Sequence, residues 1–278
     1  MRHPRPTSYN ARMSTPETFE IPLDTAELYE AKFVPALFAD WAPHVVDMGD
    51  VTAGQSVLDV ACGTGIVART AAARVAPEGR VVGVDLNPAM LTVAQRVCRG
   101  VELRRGDVAD LPFEPGTFDA ALCQMGLMFF PDRQRAIGEM GRVVKADGTV
   151  VVMVPSSLDA QPAYRLLVEL AARHAGPEAV AMLSAYWVCG DLDELCRTVR
   201  SAGLEVLSTR TRMGTARFDS IGEFVAVEVE STPVRERLTD GEYDALRQEA
   251  HDVLAEFTAP NGTAEIPIEG HLVAARPR

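Results

Sequence analysis

The sequence predicts an α/β protein with a doubly wound, mostly parallel central sheet, and three observations predict it. Short apolar runs rich in β-branched residues alternate with helix-patterned segments between about residues 56 and 154, as repeated βαβ units require. The first run, 56–61, empties into a glycine-rich turn, Cys62-Gly63-Thr64-Gly65. Three successive runs carry an acid at or near their ends: Asp59, Asp85 and Asp107. In open sheets of this kind ligands bind beyond the carboxyl ends of the strands, where all three acids fall.

Taken in order, residues 1–20 are rich in Pro, Arg, Ser and Thr without an apolar period, and read as a disordered tail, with Met13 as an alternative start. Residues 24–49 read as helices interrupted by Pro35 and Pro43. The first strand spans 56–61 and its helix 65–76. The second strand spans 80–85, and its helix runs from Pro88, placed where a missing N–H costs nothing, to Arg99. Strands three and four span 101–106 and 117–123. Pro131-Asp132 opens a helix that carries Ala136, Ile137, Met140, Val143 and Val144 on one face. Asp147-Gly148 ends it, and Thr149 to Val154 is a fully buried fifth strand.

Beyond Val154 the alternation breaks. Residues 158–200 read as helical, with a break at Gly176-Pro177, a hinge at Tyr186-Trp187 and a new helix near Asp191. A sixth strand is expected at 203–207, helices at 220–230 and 240–257, and a last strand from Ile266 to Ala275. The domain reading is therefore one unit over 21–278, with a core at 50–155 and cap insertions at about 156–200 and 214–262.

Composition narrows the partners. The 278 residues are 47% hydrophobic and 24% charged, the balance of a globular chain. A net charge of −12 without basic runs argues against a nucleic-acid partner. The five cysteines form neither a disulfide framework nor a zinc spacing, which suits a reducing cytoplasm. No apolar run approaches the ~20 residues of a membrane span.

The glycine turn admits two cofactor classes. As a dinucleotide fingerprint, Gly63-Thr64-Gly65-Ile66-Val67-Ala68 is G-x-G-x-x-A, with Asp85 about twenty residues on for a ribose. S-adenosylmethionine (SAM) also needs an acid for its ribose but carries an ammonium and a sulfonium in place of a pyrophosphate. Asp59 would repel a pyrophosphate and attract an ammonium. At ~4 Å that attraction is worth roughly 1 kcal/mol in water and about 4 at an effective dielectric near 20. Three strand-end acids suit a cationic amino-acid nucleoside better than a dinucleotide.

At these residues the chain resembles the class I SAM-dependent methyltransferases, in particular the type 11 and quinone-biosynthesis branch. The segments that carry the resemblance are Val57 to Gly65, Val82 to Leu91, Gly106 to Phe113 and Phe118 to Val150. They cover about residues 50–155 in order. Ala61 stands where many members have the first glycine of the turn. The resemblance implies a Rossmann-like sheet of seven strands with an antiparallel last strand, N-terminal helices and a helical cap that selects the acceptor. It implies that Gly63, Gly65 and Ala61 line the methionine moiety, with Asp59 near its ammonium. It implies that Asp85 accepts the ribose hydroxyls and that Leu86 and Met90 border the adenine. Asp107 would take the adenine amino group, the Val108 N–H a ring nitrogen, and Gln124 would sit between cofactor and acceptor. In this branch an N-terminal segment often closes over the cofactor, which makes Tyr9 a candidate.

A sulfonium is already a good leaving group, so orientation and exclusion of water dominate, with a base adding about 10²–10⁴-fold where the acceptor loses a proton. The expected catalytic candidates are His174, in the cap, with Tyr29 and Tyr186 as polar positioning groups. His251 reads as solvated and His271 as structural. Phe129, Phe130 and Trp187 would wall an apolar or aromatic acceptor. Strands four and five end in Cys123-Gln124-Met125-Gly126 and Pro155-Ser156-Ser157, without the carboxylates of a metal-assisted enzyme, so no metal is expected. The assembly is left open, a homodimer included. Alternatives to methyl transfer are a SAM-binding protein of regulatory or cyclase type and an NAD-dependent oxidoreductase.

Overall fold

A computed structural model describes residues 21–230 and 234–278. The expectations for the tail, Tyr9 and Met13 lie outside the described residues. Seven strands form one sheet: β1 (Ser56–Val60), β2 (Arg80–Asp85), β3 (Val101–Arg105), β4 (Phe118–Gln124), β5 (Val144–Pro155), β6 (Leu204–Phe218) and β7 (Ala264–Pro277). Their order is β3-β2-β1-β4-β5-β7-β6. The first five pair in parallel and β7 lies antiparallel between β5 and β6. This is the predicted sheet, antiparallel last strand included. Its direction of growth reverses between β1 and β4, which opens a crevice at their carboxyl ends.

Helices cover the sheet. The N-terminal α1 (Leu23–Leu28) leads into a π-helical stretch, Tyr29–Phe38, and then α2 (Ala39–Met48). Neither proline breaks the path. The wider π turn accommodates Pro35, whose ring would clash with the carbonyl four residues back in an α-helix. α3 (Ile66–Val75) and α4 (Pro88–Val97) follow β1 and β2. α5 (Arg133–Val143) ends four residues before the expected stop, because Val144 already pairs with Phe118 of β4.

The cap region holds α6 (Pro162–Ala175), α7 (Glu178–Ser184), a 3-10 turn at Ala185–Trp187, α8 (Leu192–Ser201), α9 (Ile221–Glu230) and α10 (Asp240–Val253). Its termini follow local chemistry. Asp191 caps α8 by accepting from the Glu194 N–H, and Thr239 with Glu242 forms a reciprocal capping box on α10. The sixth strand departs most from expectation: it runs to Phe218, paired with β7 throughout. It is an edge strand, and from Glu205 to Met213 its side chains are largely exposed, so its sequence shows no apolar alternation. Val57, Leu58, Leu122, Val151 and Met153 are all but fully buried and form the centre of one continuous core with Trp41 of α2.

Candidate active site

The carboxyl ends of β1, β2 and β4 converge around the glycine turn. Three successive odd positions shape it: Ala61 at φ 54°, Gly63 at φ 53° and Gly65 at φ 89°. Gly65 has two reasons to be glycine. Its φ is left-handed, and a Cβ there would lie 2.3 Å from Cys98 Sγ. Ala61 adopts the same region with a side chain, which accounts for the glycine usual at that place. Across the crevice Met125 follows β4 at φ 51°, and a Cβ on Gly126 would come within 2.9 Å of the Ala61 Cβ. The two loops therefore touch at the switch point.

Asp59 and Asp85 brace this turn from below. Asp59 is buried at 1% exposure, and its Oδ2 accepts the Ala68 N–H at 2.8 Å, tying β1 to the first turn of α3. Burial pushes its carboxyl up to about 8, the Ala68 N–H opposes that, and the charge of Asp85 adds to it. Asp85 Oδ2 accepts the Gly63 N–H and Oδ1 the Asn87 N–H, both at 2.8 Å. Burial raises Asp85 as well, against those backbone donors. Asn87, which the sequence reading passed over, caps α4 by accepting from the Ala89 and Met90 N–H groups. Leu86 and Met90 are half-buried on either side of it.

Asp107 follows β3 and caps a short 3-10 turn, Val108–Asp110, accepting the Ala109 N–H at 2.8 Å. Val108 is half-buried beside it. Gln124 ends β4 at 8% exposure. Its Nε2 donates to the Phe38 carbonyl at 3.0 Å, while Oε1 is buried without a partner. Thr64 Oγ1, in the turn itself, is buried and unpartnered too. The ten residues expected at a cofactor thus lie in the carboxyl-terminal ends of β1 to β4 or in the turns and first helical residues that follow them.

Above the turn lies a group the sequence reading named only in passing. The Tyr29 ring, from the π-helical stretch, would meet a Cβ on Gly63 at 3.8 Å. Burial, then the charge of Asp85, raises its hydroxyl far above the usual phenol range, with smaller effects from Tyr186, Glu30 and Asp59. Glu30 pairs with Arg69 of α3 at 3.0 Å, and Arg69 also donates to the Thr64 carbonyl at 3.1 Å. The N-terminal helices are thereby latched over the turn.

The catalytic candidates separate. Tyr186 is half-buried, edge-on to Phe129 with ring centroids 5.7 Å apart. Its hydroxyl is pushed up to about 12 by burial and then by the charge of Glu228. His174 ends α6, and its Nε2 lies 2.8 Å from Glu249 Oε2 of α10, which Arg173 also holds. That contact ties two cap helices together. His271 is buried between Thr211 and the Gly190 carbonyl, as a structural residue would be, and His251 is exposed. Phe129 is exposed, Phe130 half-buried and Trp187 buried. Glu228 of α9 was missed altogether: it is 7% exposed, and burial pushes its carboxyl up to about 7. Among the described residues no group of three or more His, Cys, Asp or Glu could hold a metal, and no helix is long and apolar enough to cross a membrane.

Comparison with known proteins agrees with this geometry. Residues 58–152 match a family profile described as a methyltransferase domain. A demethylmenaquinone methyltransferase of Lactobacillus johnsonii is 37% identical over 112 residues, 38% of this chain and 46% of that protein. A nocamycin O-methyltransferase of Saccharothrix syringae is 35% identical over 164 residues, 56% of this chain and 58% of that one. The chain thus spans about half the length of the curated relatives it matches. In fold it resembles a putative methyltransferase of Bacillus halodurans, with a TM-score of 0.57 at 21% identity over 85% of this chain and 99% of the other. Residues 58–152 thus match a methyltransferase domain, and the chain that carries them shares the Rossmann-like fold of the solved methyltransferase it resembles.

Proposed function

We propose that the protein transfers the methyl group of SAM to a small, apolar or aromatic acceptor, on oxygen, nitrogen or carbon. The observation that carries this reading is Asp85. Three of a carboxylate's roughly four acceptor positions are taken by the Gly63, Asn87 and Leu86 N–H groups, which holds it at the glycine turn with about one left for a ribose hydroxyl. The orphaned Gln124 Oε1 and Thr64 Oγ1 support it, since a buried polar atom without a partner costs about 1–3 kcal/mol unless a ligand satisfies it. The likeness to an O-methyltransferase that extends past the domain supports a small acceptor.

When bound, SAM supplies a methyl group activated by its sulfonium. The chain does the rest. Gly63 and Gly65 let the backbone approach the methionine end, with Ala61 beside them and Asp59 beneath. Asp85 fixes the ribose, Leu86 and Met90 border the adenine, and Asp107 with the Val108 N–H reads its edge. Tyr29 covers the turn and keeps water from it. Tyr186 from the cap and Phe129 from the turn after β4 face the acceptor, with core 50–155 and insertions 156–200 and 214–262 as parts of one unit over 21–278. His174 would act on an acceptor only by leaving Glu249, so Tyr186 is the better placed of the two.

Calorimetric titration with SAM, its demethylated product and NAD tests the cofactor. Binding of the first two and not the third is expected, and the reverse overturns the reading. Incubation with methyl-labelled SAM and a panel of phenols, quinones and amines should then move the label. SAM binding without transfer to any acceptor or cell extract would instead indicate a regulatory or cyclase role.

A further inference from the structure

Two carboxylate–guanidinium pairs in this chain are built differently, and the difference falls beside the glycine turn. On α5, Arg142 Nε donates to Glu139 Oε1 and its Nη2 to Oε2, both at 2.7 Å. Such a fork employs both carboxylate oxygens. Glu30 and Arg69 make none. Arg69 Nη2 lies 3.0 Å from Glu30 Oε1, and Nη1 turns away to donate to the Thr64 carbonyl at 3.1 Å. Glu30 Oε2 is buried and has no hydrogen-bond partner.

Latching the N-terminal helices to α3 does not require that arrangement. A fork would hold them more firmly, and a buried oxygen without a donor is destabilising. The surroundings of Glu30 are those of the turn. It follows Tyr29, whose ring covers Gly63, and the guanidinium it pairs with also holds Thr64. Burial is the main cause of the raised Tyr29 hydroxyl and of the raised Cys98 thiol, which fills the space of a Cβ on Gly65. The charge of Glu30 adds to both. Thr64 itself is 1% exposed, and its Oγ1 is a second buried oxygen without a partner.

We propose that Glu30 is a cofactor-binding residue whose unpartnered oxygen accepts from the α-ammonium of SAM. The inference rests on the reading of this crevice as a SAM site and deepens it. An ionised carboxylate only accepts, so its missing partner is a donor. At the amino-acid end of SAM the carboxylate accepts and the sulfonium forms no such bond, which leaves the ammonium. The ribose falls to Asp85 in the same reading. Asp59, 1% exposed and bonded to the Ala68 N–H, acts on that positive charge from the other side of the turn.

Calorimetry on the full chain tests this with two ligands, S-adenosylhomocysteine and its deaminated analogue, which carries hydrogen in place of the α-amino group. Wild-type protein should bind the amine about tenfold or more tightly, the factor a charge-assisted hydrogen bond provides. Glu30→Gln should lose most of that preference through weaker binding of the amine. Its affinity for the deaminated ligand and its melting temperature should stay near those of wild type. Glu30→Asp keeps the charge but draws it back by one methylene, and its preference should fall between the two. If Glu30 only latched the N-terminal helices, Glu30→Gln would weaken both ligands by the same factor. That result, an undiminished preference in Glu30→Gln, or no preference in wild type overturns the role of Glu30. Failure of wild type to bind either ligand overturns the SAM reading instead.

Discussion

The two halves of the site are built by different means. On the proposed cofactor side, Asp59, Asp85 and Asp107 are fixed by the backbone: each carboxylate accepts a main-chain N–H at 2.8 Å from the turn or helix that follows its strand. On the proposed acceptor side, side chains hold one another: Tyr164 packs on Trp187 and donates to Glu228, and Tyr186 packs edge-on to Phe129. The first arrangement follows from the sheet and leaves little room for substitution. The second depends on how five helices pack, and can be rebuilt for a new acceptor without touching the cofactor end. Specificity is expected to live there.

The largest break in that comparison should come from Gly65→Val. The residue sits at φ 89° with Cys98 Sγ in the space of its Cβ. A β-branched side chain there meets roughly 1–2 kcal/mol of left-handed strain and a further 1–3 of overpacking. Chemical denaturation should show a loss of about 2–5 kcal/mol, and calorimetry no SAM binding. A variant of normal stability that still bound SAM would mean the turn is not the rigid platform described. Asp85→Ala comes next. It removes the anchor of the Gly63 and Asn87 N–H groups as well as the ribose contact, so SAM affinity should fall by about 2 kcal/mol or more. Unchanged affinity would refute the assignment.

The same contrast governs what could be read from the chain. A strand, a turn and an acid are contiguous, so Ser56 to Gly65 showed its fold and its ligand class together. The sheet's order and the antiparallel β7 came with the resemblance. Tyr29 could only be placed once α1 and the π-helical stretch were seen lying over Gly63, because 34 residues separate the two. Glu228 was hidden for another reason. Within Phe224-Val225-Ala226-Val227-Glu228-Val229-Glu230 one acid among valines looks like a helix's wet side, yet Glu228 is buried and Glu230 is exposed. The available signal was a charge that falls within the apolar face. His174 stands out in sequence as a histidine near a helix C-terminus, and the structure adds what the sequence could not show, its contact with Glu249 of α10.

A proton-linkage measurement sharpens the cofactor half. The Asp59 carboxyl sits at about 8 in the folded chain against about 4 when unfolded. The folded state therefore binds more protons between those values, and Asp59's contribution to stability falls as pH rises from about 4 to about 8. Above that window it is constant. A cation placed beside Asp59 would favour the ionised form, so SAM binding at pH 7 should release up to one proton. Calorimetry in buffers of different ionisation enthalpy would measure it. Asp59→Asn should bind without that release. Equal proton release in the variant would place the cofactor's ammonium elsewhere.

The smallest expected effect is also the most local. Ala61 holds φ 54° at the foot of the glycine turn, a region that costs a residue with a Cβ roughly 1–2 kcal/mol. Ala61→Gly removes that strain but gives the unfolded chain more freedom, a loss of about 0.4–1 kcal/mol. The two partly cancel, so stability should rise by no more than about 1.6 kcal/mol. The Ala61 methyl also abuts Gly126 across the switch point, where a Cβ on Gly126 would lie only 2.9 Å from it. Removing the methyl opens space between the loops after β1 and β4, beside Gln124 on the acceptor's side of the crevice. SAM affinity should therefore hold while acceptor selectivity loosens, measured as the ratio of kcat/KM values for a small and a bulky phenol. A large fall in SAM affinity with selectivity intact would reverse the assignment of the two halves at the point where they meet.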